Sequence, residues 1–248
     1  MRLDEIGGQR KITHDELATA FDTFYHEVKD QVSQGNFFPT EPGSSVGYDL
    51  AKKNLICSIY VKDLPSFKGC KVEFFGTEQR SNCGWSPAFK DMGIGVIVPK
   101  GTTEKQLAKI VQKDIDSIFV NNAVTHEFVH LYQSHILGKD SFLAILFSSF
   151  RDLIRIGRNK RKSPQEIEAY TLEHWLLYRS LLKKMKEYNY NREQAWKYLY
   201  EFGFREKVDE FVSITLKSFN GIYDNSVPFK NGLKEIHQKV IDLFNQLF

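Results

Sequence analysis

Two histidines four residues apart, His126 and His130, with Glu127 directly after the first, set the strongest condition on how this chain folds. An α-helix turns once every ~3.6 residues, so side chains at i and i+4 leave the same face on consecutive turns. On a helix both imidazoles reach one point, and there they can grip one metal ion. Glu127 lies one residue further along, placed to act as a general base. This H-E-x-x-H pattern suits hydrolysis of an unactivated amide. Zinc lowers the pKa of water to about 7, and a neighbouring carboxylate carries the proton onward. The same pair read without a metal is two satisfied core histidines. Asn121, Asn122 and Thr125 can cap the start of this helix, and Val124, Phe128, Val129, Leu131 and Tyr132 give it apolar flanks.

The rest of the composition excludes several classes. A chain of 248 residues, 42% hydrophobic and 26% charged, can bury one sizeable core and is neither disordered nor fibrous. Its net charge of +3 is too small to argue nucleic-acid binding by itself. Cys57, Cys70 and Cys83 are odd in number and lack C-x-x-C spacing, so neither a disulfide framework nor a cysteine zinc site is indicated, and a reducing compartment fits. Met1 to Lys11 is charged and carries no apolar core, unlike a signal peptide. The most apolar run, Phe142 to Phe150, is far shorter than the ~20 residues a membrane helix needs. The expectation is a soluble protein without a membrane span, cytoplasmic or packaged in a particle assembled inside the cell.

Thr13 followed by Glu16 reads as a capping box, and Leu17, Phe21, Phe24, Tyr25, Val28 and Val32 recur at helical spacing up to Gly35. Pro39, Pro42, Gly43 and Gly47 mark a loop. Strands are predicted over Asn54 to Val61, Lys71 to Phe75 and Ile94 to Val98. The stretch from Gly93 to Pro99 alternates glycine with branched residues and ends in a proline, the pattern of an edge strand. Such a strand either pairs with an extended peptide or merely relieves twist. Thr103 with Gln106 opens a helix carried by Leu107, Ile110, Val111, Ile115 and Ile118, and the chain is almost all helical beyond it. Arg151, Arg155 and Arg158 precede a basic loop, Arg158 to Lys162. That segment reads as a solvated inter-helix loop or as a patch for nucleic acid or a membrane surface. Helices around Trp196 to Phe202, Phe204 to Phe219 and Phe229 to Phe248 close the chain.

Zinc held by two histidines still lacks a ligand, because catalytic sites use three protein groups and leave the fourth position to water. Downstream carboxylates are the candidates. Ser163 can cap a helix with Pro164 at its first position, bringing Glu166 and Glu168 within its first two turns. Glu166 stands three residues after Ser163, so it is a ligand or the second half of a capping box. If it only caps, Glu168 takes the ligand role.

On these residues the chain resembles the gluzincins, the thermolysin-like zinc metallopeptidases in which H-E-x-x-H on one helix is completed by a glutamate on a later one. There the glutamate often opens an E-x-x-A-(D/N) stretch, and Glu166 to Ala169 keeps that register while Tyr170 replaces the acidic or amide residue. The resemblance implies His126, His130 and Glu166 as zinc ligands and Glu127 as catalytic base. It also implies that a carboxylate which commonly orients a metal-bound histidine is here a tyrosine. Tyr170 and His174, one and two turns beyond Glu166, are candidates to stabilise an oxyanion, and His174 reads equally as a helix-surface histidine.

The fold implied is zincin-like α+β, a small mixed β-sheet followed by a predominantly helical half, in one domain over 1–248. Residues 1–100 supply the N-terminal helix and sheet, 101–186 the metal-binding helical core, and 187–248 the C-terminal helices. The function implied is zinc-dependent hydrolysis of a peptide or protein substrate. The rivals are a structural or interaction protein that retains the fold, and a nucleic-acid-associated protein acting through Arg151 to Lys162.

Overall fold

The computed structural model describes residues 12–38, 56–61, 67, 70–77, 83–86, 91–136, 164–220 and 222–248. The loop from Pro39 to Gly47, the apolar segment Phe142 to Ile156, the basic loop Arg158 to Lys162 and the cap Ser163 lie outside them. Among the described residues the fold is α+β and mostly helical. In chain order it runs α1 (His14–Ser33), β1 (Ile56–Tyr60), β2 (Lys71–Thr77), β3 (Cys83–Ser86), β4 (Asp91–Ile97), α2 (Glu104–Phe119), α3 (Asn122–Ile136), α4 (Pro164–Glu187), α5 (Arg192–Glu201), α6 (Val208–Ser218) and α7 (Val227–Leu247). No helix among these residues is long and apolar enough to cross a membrane.

The helix ends follow their local chemistry. Thr13 accepts a hydrogen bond from the Glu16 amide at 3.2 Å and starts α1. Gly35, at φ +71°, ends it: its N–H donates to Val32 O and that of Asn36 to Gln31 O, the paired bonds of a Schellman cap. Asn189 and Gly203, also at positive φ, close α4 and α5 the same way. Thr103 and Gln106 form a reciprocal capping box before α2, at 2.8 and 3.3 Å. Asn121 Oδ1 caps α3 by accepting from the Ala123 amide at 2.8 Å.

The sheet has the order β1-β2-β4-β3, with β2 and β4 parallel and the other neighbours antiparallel. This corrects the edge-strand expectation at Gly93 and Ile94, where β4 is flanked by both β2 and β3; β3 pairs only with Asp91 to Ile94, and Gly95 to Ile97 pair with β2 alone among the described residues. The strand responsible, β3, reads Cys-Gly-Trp-Ser, too short and glycine-broken to announce itself by alternation. Register places Cys57, Ile59, Val72, Phe74, Met92 and Ile94 on one face, all buried. The opposite face carries Ser58, Lys71 and Glu73, also buried.

The chain divides into two compact units, Met1–Phe119 with Glu127–Ser148, and Val120–His126 with Ser149–Phe248. In the first, α1 and α2 pack on β1. Phe21 and Phe24 of α1 meet Phe128 of α3 at ring distances of 5.0 and 5.2 Å, and Phe67 joins them. Burying each such phenylalanine contributes about 1.5–3 kcal/mol. In the second, α4 packs along α7 so closely that a Cβ placed on Gly232 would lie 2.6 Å from Thr171 Cγ2. Phe204, Phe211 and His237 fill the core beside them, with His237 Nε2 bonded to Arg205 O at 2.9 Å.

Candidate metal centre

His126 and His130 both lie on α3, Asn122–Ile136. His126 and His130 are therefore one turn apart on one rigid element. Apolar residues anchor that element: Val124, Phe128, Val129 and Leu131 are buried, which leaves Glu127 and His130 half-exposed on the other side.

Helix α4 brings three side chains to His126, because positions 166, 170 and 173 fall within about 60° of one another around a helix. Glu166 Oε2 lies 3.5 Å from His126 Nε2. The ring of Tyr170 packs on the imidazole at 4.3 Å between centroids. Glu173 Oε2 accepts from the other ring nitrogen, Nδ1, at 2.7 Å. One ligand atom each from His126, His130 and Glu166 lies within 4.8 Å of the others. Glu166, and not Glu168, is the carboxylate that joins the two histidines.

The hydrogen bonds decide which nitrogens can bind a cation. His126 Nδ1 faces a carboxylate and His130 Nδ1 lies 2.9 Å from Gln133 Oε1, so both rings carry their proton on Nδ1 when neutral. Both Nε2 lone pairs are then directed away from these partners. The 3.5 Å between His126 Nε2 and Glu166 Oε2 exceeds a well-formed N–H···O bond. It is close to the ~3.4 Å that separates two donors placed tetrahedrally about 2.05 Å from one zinc ion. Two imidazole nitrogens and one carboxylate oxygen are also the donor set of a catalytic zinc site, so the residues fit the metal.

His174 is not on the helix surface: it is buried beside Phe211 and Tyr178, with Nδ1 2.6 Å from Tyr170 O. Tyr170 presents its ring to His126 on one side, and Phe219 and Tyr223 pack against it at 4.8 and 5.7 Å. Sequence reasoning missed Glu173 and Gln133. Each left a signal: Glu173 lies two helical turns beyond Glu166, and Gln133 one turn beyond His130 on the same helix. Compared with models of protein families, with curated proteins and with solved structures, the chain matches none.

Proposed function

We propose that this protein is a zincin-like zinc metallopeptidase. The observation that carries the reading is the convergence of His126, His130 and Glu166 within 4.8 Å, the two histidines standing on the helix that also bears Glu127. His126 and His130 would hold the ion through Nε2, and Glu166 through its carboxylate. Zinc supplies Lewis acidity, which makes water acidic enough to attack an amide at neutral pH. Glu127 is half-exposed beside the ligands without belonging to the cluster, which suits a base that takes the proton of the attacking water and passes it to the leaving nitrogen. Gln133 holds His130 by its Nδ1 and so keeps that ring in its binding tautomer.

The test pairs zinc content with cleavage of a diverse peptide library by wild type and Glu127→Gln. An amide of the same size keeps the packing, so zinc content should stay at about one per chain while cleavage falls at least ~10²-fold. Equal cleavage by both proteins would remove Glu127 from the mechanism. A zinc-loaded wild type that cleaves nothing would remove the peptidase reading.

A further inference from the structure

We propose that Glu173 is the positioning residue of the metal centre: its carboxylate fixes the His126 ring so that Nε2 faces Glu166. The inference rests on the zinc reading above and adds a role that the motifs did not assign.

Glu173 is only 4% exposed. A carboxylate buried that deeply is unfavourable unless it is hydrogen-bonded, and it bonds to the ring nitrogen that a metal would not use, at 2.7 Å. Its other oxygen lies 3.7 Å from His174 Nδ1, and His174 is held in turn by Tyr170 O. The hydrogen bond that fixes the carboxylate is therefore the one to His126 Nδ1. Seven residues make about 700°, nearly two full turns, so Glu166 and Glu173 share one face of α4. The imidazole spans them, with Nε2 towards Glu166 and Nδ1 on Glu173. Tyr170, between the two on the same face, covers the ring plane. A ring held at one edge and on one face has lost both its flip and its alternative tautomer. The position four residues after Glu166, where the gluzincin pattern has Asp or Asn, here supplies a ring tilted 37° against the imidazole, and the carboxylate sits one turn later.

The role differs from that of a ligand, because Glu173 is outside the three-residue cluster and would not touch the ion. It also differs from a purely structural one. A structural glutamate would alter the stability of the metal-free protein and leave the geometry around a bound ion unchanged.

The experiment compares wild type with Glu173→Gln by competitive zinc titration and by the visible spectrum of the cobalt(II)-substituted protein, with circular dichroism confirming the fold. Zinc affinity should fall about 10–100-fold and the cobalt bands should shift. Wild-type affinity with an unchanged cobalt spectrum in Glu173→Gln would overturn the proposal while leaving the zinc reading intact. A wild type that takes up neither zinc nor cobalt would overturn both. Should Glu173→Gln fail to fold, Glu173→Asp carries the same measurement, since it keeps the charge and withdraws the oxygen from Nδ1. The expected result is again weaker zinc binding with shifted bands, and wild-type values would again overturn the proposal.

Discussion

The protein buries carboxylates in two places and surrounds them differently. On β2, Glu73 Oε1 lies 2.8 Å from Lys71 Nζ, with both side chains almost fully covered. On α4, Glu173 instead meets an imidazole, with Glu166 at the far side of the same ring. The first pair sums to zero charge. In the second arrangement one imidazole faces both carboxylates, with Nδ1 on Glu173 and Nε2 towards Glu166. A buried carboxylate matched to a lysine has its cation built into the chain, whereas carboxylates matched to imidazoles leave room for a divalent ion.

The largest test of this contrast is on the helical side. Alanine at His126, His130 or Glu166 should abolish stoichiometric zinc binding, because two ligands do not hold the ion against buffer. Glu168→Ala should leave metal content unchanged, since that carboxylate is outside the cluster. Zinc retained in a His126→Ala, His130→Ala double variant, measured by elemental analysis, would erase the contrast. On the sheet side, Lys71→Met removes the cation 2.8 Å from the Glu73 carboxylate and should destabilise by about 3–5 kcal/mol in denaturant titration. Replacing both partners with apolar residues should restore most of that loss, because no uncompensated charge remains. A Lys71→Met protein as stable as wild type would show that Glu73 is neutralised in another way.

A third charged cluster sharpens the comparison by being half-exposed. Lys29 Nζ lies 2.8 Å from Asp116, whose carboxylate also accepts from the Tyr25 hydroxyl. The bond to Asp116 raises the Lys29 pKa to about 12, and burial, followed by Asp116, raises that of Tyr25 to about 12. Both folded values lie above the ordinary 10.5 and 10.0, so the stabilisation is complete below about pH 10 and is lost as pH rises through 12. Solvent screening keeps the effect below about 1 kcal/mol. Asp116→Asn should therefore flatten the alkaline decline in Tm, and an unchanged decline would assign it to other groups.

How much of this was legible follows the range of the interactions. Thr13, Gly35, Thr103 and Gln106 act within four residues of themselves, and their hydrogen bonds fall where the sequence places them. The side-by-side placement of His126 and His130 is equally local. Cover on β4 was not legible, because β3 carries a glycine in only four residues and joins β4 through backbone register. Nor was Glu173, since a seven-residue interval on α4 gains meaning only once a histidine 47 positions earlier docks against it. The helix-surface alternative for His174 fails for a related reason. A polar residue on an amphipathic helix looks solvent-facing until α6 places Phe211 beside it. The packing of Gly232 on Thr171 belongs to the same group, because a missing side chain has meaning only against its neighbour.

The 47-residue separation of His126 and Glu173 also bears on the order in which the protein matures. A zinc finger gathers its ligands from a short stretch, so metal can arrive early and drive the folding of the segment. Here the pair His126 and His130 exists as soon as α3 forms, but Glu166 and Glu173 reach it only after the chain between them has closed on itself. That closure carries an entropic penalty of about 3 kcal/mol by the logarithmic length rule. Metal captured by the finished site adds RT ln(1 + [Zn]/Kd) to the folded state alone, about 2.7 kcal/mol at a hundredfold excess over Kd. On the zinc reading proposed above, the ion would be a seal set after assembly and not a nucleus for it. Stripping zinc should lower Tm and leave the helical circular-dichroism spectrum intact, and a chelated protein that loses its helices would reverse that order.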